Sequence, residues 1–274
     1  MQIYVRGVEL AIRGGTASPP SGPHALAGRA EDLPALLAHV ERRADCRALA
    51  VVGEPRLEVP PLALPVLVTD GADVEGLAAW LLPVPAVVLA AGAGTRMGGD
   101  KMLRPLRGRL LVEWALSAAR EGGADGVYAV YAEEVVRAAF GEGVTPVFNP
   151  EAGRGQATSV GAGLRALPER AAAAIVLLGD QPLVRATTVR TLLRAWRSPG
   201  AAPAVAASYG GGWLPPVVLD RQLWPAAMAL RGDEGARAIF REHPELVEAI
   251  PVPGGPEDAD TPEDLERIER LLDE

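Results

Sequence analysis

The sequence predicts a three-layer α/β/α architecture with a mostly parallel, Rossmann-like sheet, preceded by a small α/β unit. Three observations carry that prediction. Over residues 84–274 short apolar runs alternate with helical patterns, and strand alternating with helix builds a largely parallel sheet covered on both faces. Hydrophobic residues make up 49% of the 274-residue chain and charged residues 23%, which leaves enough apolar side chains for a real core. Glycine (31) and proline (25) are in excess without a period, which means many turns and excludes a collagen-like chain.

The elements of the larger unit follow in order. Val84–Ala90 (VPAVVLA) is a continuous apolar run of strand length and reads as a buried strand. Leu111–Arg120 reads as a helix, Gly126–Tyr131 as a strand and Glu133–Phe140 as a helix. Val144–Phe148 is a strand and Thr158–Leu167 a helix. Ala173–Gly179 (AAIVLLG) is a second buried strand, followed by a helix over Thr187–Trp196. Strands are expected near Ala204–Ser208 and Val217–Leu219. Asp233–Arg241 and Pro262–Leu272 read as helices, the latter with Thr261 as N-cap and Pro262 at the first helical position. In residues 1–83 a helix is expected over Leu33–Arg43, strands over Ala48–Val52 and Val66–Thr69, and a helix over Val74–Leu82 ended by Pro83. Gly14–Gly28, rich in Gly, Pro and Ser, reads as a loop. The Pro83–Val84–Pro85 join is a short, stiff linker, so residues 1–83 and 84–274 are expected to be separate domains.

Composition excludes several classes. The net charge is −8, which disfavours a nucleic-acid binder. The single cysteine, Cys46, allows no intrachain disulfide and no CxxC zinc site, and His24, His39 and His243 are scattered. The start, MQIYVRGVEL, lacks the pattern of a signal peptide. The longest apolar stretch, Leu77–Ala91, carries two prolines and falls short of the ~20 residues a membrane span needs. The expectation is a soluble cytoplasmic protein that binds no membrane.

Ligands of such sheets bind beyond the carboxyl ends of the strands, and the unusual residues fall there. Leu89-Ala90-Ala91-Gly92-Ala93-Gly94-Thr95-Arg96-Met97-Gly98-Gly99-Asp100-Lys101 follows the first strand of the larger unit. Its glycines let the backbone bring N–H groups to an anion, and Arg96 and Lys101 add positive charge, which suits a polyphosphate. Met97 breaks the GxGxxG pattern, and Lys101 lies outside any Gly-Lys-Ser/Thr context, so a P-loop is excluded. Lys101 is the only lysine beside 26 arginines. A compact ammonium is then expected where a planar guanidinium does not fit. In a glycine-rich loop it is expected to pack little and to matter little for stability.

Leu178-Gly179-Asp180-Gln181-Pro182 closes the second buried strand and sets the Asp180 carboxylate at the ligand edge, where it suits Mg²⁺. Asp258-Ala259-Asp260-Thr261 precedes the last helix, and either Asp258 or Asp260 would supply a second carboxylate. The segment Asn149–Ser159 contains the only asparagine and offers Gln156, Thr158 and Ser159 for a base, a ribose or a phosphate. Leu230–Arg237 is a turn-like fifth segment.

Together these five segments resemble the molybdenum-cofactor nucleotidyltransferases over about residues 84–270. The match is best to the cytidylyltransferase branch, on Ala91 in LAAG, the Asn149–Ser159 segment, Gly179–Pro182, Gly232–Arg237 and Asp260–Asp264. The chain departs from the family at Trp213-Leu214-Pro215-Pro216, where glycine and a small polar residue usually precede Pro216. The resemblance implies transfer of CMP from CTP to the terminal phosphate of molybdopterin, with release of pyrophosphate. It implies Arg96, Lys101 and Asp180 as catalytic residues. The nucleotide would meet Leu89, Ala90, Ala91, Gly92, Gly94, Thr95, Arg96, Gly98, Lys101, Gln156 and Ser159, with Mg²⁺ on Asp180 and Asp260. A molybdenum hydroxylase or its chaperone is the implied protein partner. Alternatives are GTP as donor, a sugar or isoprenoid phosphate as acceptor, or a non-catalytic cofactor carrier. Residues 1–83 resemble the C-terminal half of the GTP-binding adaptor proteins of the same pathway, without a P-loop, at Asp32–Leu37, Leu49–Glu54 and Leu64–Trp80.

Overall fold

The computed structural model describes residues 24–29, 33–42, 46–52, 66–69, 82–92, 101–197, 201–235 and 237–272. The chain divides into two compact units, Met1–Pro83 with Arg197–Gly200 and Val84–Trp196 with Ala201–Glu274. Among the described residues no helix is long and apolar enough to cross a membrane.

In the first unit β1 (His24–Arg29), β2 (Cys46–Val52) and β3 (Val66–Thr69) form a parallel sheet in that order, with α1 (Leu33–Arg42) between β1 and β2 in sequence. The loop expected over Gly14–Gly28 is corrected at its end, where His24–Gly28 belong to β1. These residues find a partner strand in β2, with Leu26 opposite Leu49, and pairing overrides the turn-rich composition. The helix expected over Val74–Leu82 lies outside the described residues, but for Leu82.

The second unit is built on β4 (Ala86–Leu89), β7 (Val127–Tyr131), β8 (Val144–Phe148), β9 (Ala173–Leu178), β10 (Ala204–Ser208), β11 (Leu214–Asp220) and β12 (Val247–Pro251). They form one seven-stranded sheet in the order β12-β10-β11-β9-β4-β7-β8. Only β11 runs against its neighbours; the other pairs are parallel. A two-stranded hairpin, β5 (Pro105–Leu106) with β6 (Arg109–Leu110), turns at Arg107 and Gly108, whose φ of 54° and 74° suit a two-residue primed turn.

The helices are α2 (Leu111–Glu121), α3 (Glu134–Arg137), α4 (Gln156–Ala166), α5 (Ala186–Arg197), α6 (Trp224–Ala229), α7 (Arg237–Glu242) and α8 (Pro262–Leu271). The central strands are apolar on both faces: all four residues of β4 and the first five of β9 are buried, as a covered parallel strand requires. One face packs Val87 and Val130 against Val160 and Leu164 of α4. Gly163 permits this approach, because a Cβ there would lie 2.3 Å from Val87 Cγ1. Asp233 lies in the turn before α7 rather than in the helix, since its carboxylate accepts the Gln156 N–H at 3.3 Å.

Candidate functional site

Strand register builds the site. Leu89 of β4 lies opposite Leu178 of β9 and Val130 of β7, so the three strands end at one edge. The segments leaving them, Ala90–Gly92 and Gly179–Gln181, emerge side by side. The Ala90 N–H donates to Val130 O at 2.8 Å, and the Gly179 N–H to Leu89 O at 2.9 Å. A side chain at residue 179 would break this seam, since its Cβ would approach Leu89 O to 2.9 Å and Met102 Sδ to 3.1 Å.

Lys101 opens a 3₁₀ turn and is only 7% exposed. Its Nζ lies 2.5 Å from Asp180 Oδ2 and 2.7 Å from Asp260 Oδ1. Asp180 arrives from the end of β9. Asp260 arrives from a segment 159 residues along the chain, anchored at both ends. The Ala259 N–H donates to Asp180 O at 3.0 Å. Beyond it, Thr261 caps α8 in a reciprocal box: the Asp264 N–H donates to Thr261 Oγ1 at 3.1 Å and the Thr261 N–H to Asp264 Oδ2 at 3.0 Å. The helix is held in turn by Ile268, clustered with Leu106, Leu111, Leu183 and Ala259.

The charges are coupled. Burial works against the Lys101 ammonium, but Asp180 and then Asp260 outweigh it and hold its pKa above the usual lysine value. Asp258 keeps an exposed surface, yet the protein packed around its carboxyl raises its pKa above the ordinary carboxylate range. Negative charge on Asp180 raises it further, and the Gln181 amide pulls it back. That amide donates to Asp258 Oδ1 at 2.9 Å and to Pro256 O at 3.1 Å. Gln181 was not expected from sequence; its position between Asp180 and Pro182 at a strand end was the available signal.

Of the residues expected to meet a nucleotide or metal, Leu89, Ala90, Ala91, Gly92, Lys101, Gln156, Ser159, Asp180 and Asp260 line one cleft of about 1100 Å³. Gly94, Thr95, Arg96 and Gly98 lie outside the described residues. Two findings differ from the sequence reading of Lys101. It is buried rather than loosely packed, and its ammonium pairs with both carboxylates assigned to the metal. The lone asparagine is a structural lock: Asn149 donates to Thr158 Oγ1 and Ser159 Oγ, each at 3.0 Å, and its Oδ1 accepts the Glu151 N–H at 3.0 Å. Ser159 thereby anchors the start of α4 at the cleft wall. The fourth and fifth sequence segments meet through their backbones. The Ala157 N–H donates to Gly232 O at 3.0 Å, and a Cβ on Gly155, at φ +112°, would come within 2.2 Å of Gly232 C.

A second cavity of about 370 Å³ adjoins the cleft and shares Leu89, Gln156, Leu178, Asp233 and Asp258 with it. Its remaining wall is largely apolar and includes Val160, Trp213, Leu214, Pro215 and Phe240. Trp213 meets Phe240 edge to face, with ring centroids 5.2 Å apart.

Asp180 and Asp260 fit a hard divalent cation. Magnesium in nucleotide sites takes one or two carboxylates and completes its shell with phosphate oxygens and water. Among the described residues no three His, Cys, Asp or Glu side chains gather to hold a metal.

The family profile described as the MobA-like NTP transferase domain matches residues 86–247. Nicotine blue oxidoreductase of Paenarthrobacter nicotinovorans is 36% identical over 200 residues, covering 69% of this chain and 94% of that protein. The purine catabolism protein PucB of Bacillus subtilis is 29% identical over 204 residues, covering 68% of this chain and 96% of PucB. Among solved structures, the Rv0371C protein of Mycobacterium tuberculosis in complex with manganese is 27% identical. It superimposes with a TM-score of 0.59 over 69% of this chain and 98% of its own.

Proposed function

The chain belongs to the MobA-like NTP transferase family, and on that premise we propose that it transfers CMP from CTP to the terminal phosphate of molybdopterin. The observation that carries the reading is the Lys101–Asp180–Asp260 cluster at the strand ends, with an apolar cavity beside it. An oxygen of the acceptor phosphate forms a bond to the α-phosphorus of CTP, the α–β P–O bond breaks, and pyrophosphate leaves. The acceptor is already an anion, so no general base is required; the protein must align the reactants and offset charge.

In this reading Ala90–Gly92 and the glycine loop, with Gly94, Thr95 and Gly98, cradle the triphosphate. Arg96 and Lys101 offset charge growing on the leaving pyrophosphate. Asp180 and Asp260 would hold Mg²⁺, which would supply Lewis-acid charge stabilisation when bound. That a structural relative was solved as a manganese complex supports the use of a divalent ion. Gln156 and Ser159, which line the same cleft, are read as contacts for the base or the acceptor. Trp213, Leu214, Pro215 and Phe240 offer flat, apolar walls that suit a fused heterocyclic acceptor better than a polyhydroxylated sugar. Residues 1–83 are read as a domain distinct from the transferase unit, in keeping with the break at Pro83–Val84. A cytoplasmic setting, with a molybdenum hydroxylase or its chaperone receiving the product, completes the proposal.

The test offers the purified protein molybdopterin with CTP, GTP or ATP and measures pyrophosphate. CTP should give the highest kcat/KM. A preference for GTP moves the chain to a guanylyl activity, and no pyrophosphate from any of the three overturns transferase chemistry. A second reading rests on the relative named nicotine blue oxidoreductase together with the apolar cavity. Here a flat conjugated compound fills the cavity, and a nicotinamide dinucleotide in the cleft gives it a hydride. Loss of nicotinamide absorbance with such a dye, without pyrophosphate release, would favour this reading over nucleotidyl transfer.

A further inference from the structure

We propose that the Lys101 ammonium and a divalent cation are alternative counter-ions of the Asp180–Asp260 pair, so that metal binding expels Lys101 from the two carboxylates and frees it for the nucleotide phosphates. The inference rests on the reading of Asp180 and Asp260 as metal ligands. It begins from the distances. Lys101 Nζ is 2.5 Å from Asp180 Oδ2 and 2.7 Å from Asp260 Oδ1. An ion held by the Asp180 oxygen at about 2.1 Å would lie no more than about 4.6 Å from that ammonium. A doubly and a singly charged cation that close, in a site where Lys101 is only 7% exposed, repel strongly. The carboxylates cannot serve both at full strength. Lys101 lines the same cleft as Ala90, Ala91 and Gly92, which are read to cradle the phosphates of a nucleotide.

The arrangement gives the lone lysine a role that an arginine would fill poorly. A compact ammonium satisfies two converging carboxylates and can leave as a point charge, whereas a forked guanidinium tends to lock onto a carboxylate through two bonds. Lys101 is therefore a positioning residue while it pairs with the aspartates and a substrate-binding residue once displaced. The apparent affinity for the metal carries the cost of the exchange, and a nucleotide that offers phosphate to the displaced ammonium lowers that cost. Metal and nucleotide are thereby coupled through one side chain.

The single lysine makes the exchange directly readable. Mn²⁺ binding to the full chain, measured by electron paramagnetic resonance without nucleotide, should tighten at least about tenfold in Lys101→Met, because the competing cation is gone. Lys101→Arg, which keeps the charge, should not tighten. In the wild-type protein an amine-specific reagent, read by peptide mass spectrometry, reports Lys101 separately from the N-terminal amine. Its labelling rate should rise several-fold at saturating Mn²⁺, and this measurement needs no variant to fold. Labelling that is unchanged or slowed by Mn²⁺, or an affinity in Lys101→Met no tighter than wild type, overturns the exchange. Asp180→Asn separates the two levels. If it binds Mn²⁺ as wild type does, or if wild type binds none, the metal assignment itself fails and the exchange with it. If it weakens binding while Lys101→Met fails to tighten it, only the exchange is lost.

Discussion

Replacing Lys101 by methionine removes a counter-charge that, among the described residues, Asp180 and Asp260 share through short contacts, at 2.5 and 2.7 Å. Breaking a fully buried pair by deleting one partner costs about 3–5 kcal/mol, because a charge is left behind without compensation. The lysine side chain is 9% exposed and that of Asp180 17%, close to that limit, but the Asp260 side chain is 44% exposed and its share is screened by solvent. Allowing for that screening, the expected loss is about 2–4 kcal/mol at neutral pH. Urea unfolding followed by tryptophan fluorescence measures it. Salt sharpens the test: a buried pair keeps most of its effect at about 1 M salt, whereas a surface pair is screened away within a few ångströms. The pH dependence has a fixed sign. The folded pKa of Lys101 is raised, so the stabilisation is fully present below the unfolded lysine value and is lost as pH rises through the folded one. A loss under about 0.5 kcal/mol, or one that disappears in high salt, would mean a solvated lysine and would refute the cluster.

Lys101→Arg should lower kcat/KM for pyrophosphate release by about 30- to 1000-fold, the equivalent of one misplaced donor, and unchanged kinetics would mean that the lysine is incidental. Asp258→Asn should raise the melting temperature at neutral pH by an amount worth under about 1 kcal/mol, given the exposure of this carboxyl. Its pKa is raised on folding, so the penalty it carries is present at higher pH and is relieved as pH falls through the folded value; a gain that persists in acid would contradict this. Thr261→Ala should cost about 1 kcal/mol through loss of the cap, seen as a lower urea midpoint. The partner carboxyl, Asp264, is held below the usual range first by its bond from Thr261, so its contribution should be present above the unfolded value and fade as pH falls through the folded one. Gly163→Ala should destabilise by about 1–3 kcal/mol despite alanine's better helix propensity, because the new Cβ meets Val87 at 2.3 Å.

The sheet was legible where strands are buried on both faces, since AVVL and AAIVLL admit few other readings at that length. The edge strand β12 escaped notice, because VEAIP buries no residue fully, exposes three of its five and pairs on one side. Helix α6 was hidden by its proline, which WPAAMA tolerates only because Pro225 stands at the start. Helix α3 stops at Arg137, short of the expected Phe140. The glycine loop, Lys101, Asp180 and Asp260 stood out as residue types at strand ends. That one ammonium joins both aspartates could not be read, because the contact spans 159 positions and depends on how α8 docks. The apolar cavity was equally hidden, for its walls come from strands and helices far apart in the chain.

The reversed strand β11 has a consequence for how the cavity beside the Lys101 cluster can change its shape. Because β11 runs against β9, with Val217 opposite Val176 and Asp220 opposite Ala173, its beginning rather than its end lies at the ligand edge. The turn joining β10 to β11, Tyr209–Trp213, therefore rises there and delivers Trp213, Leu214 and Pro215 to the cavity wall. The glycines at 210, 211 and 212 have nothing within 4 Å of where a Cβ would stand; those at 210 and 212 sit at φ +98° and +63°, so Gly211 is the one of the three that takes a side chain without backbone strain. The floor of the cleft that holds Lys101 and Asp180 is made by other strands, β4 and β9, and is untouched by such changes. One exposed hairpin tip thus makes one wall of the cavity interchangeable: a lineage, or an experimenter, can reshape that wall in a handful of codons while leaving the Lys101–Asp180–Asp260 cluster intact.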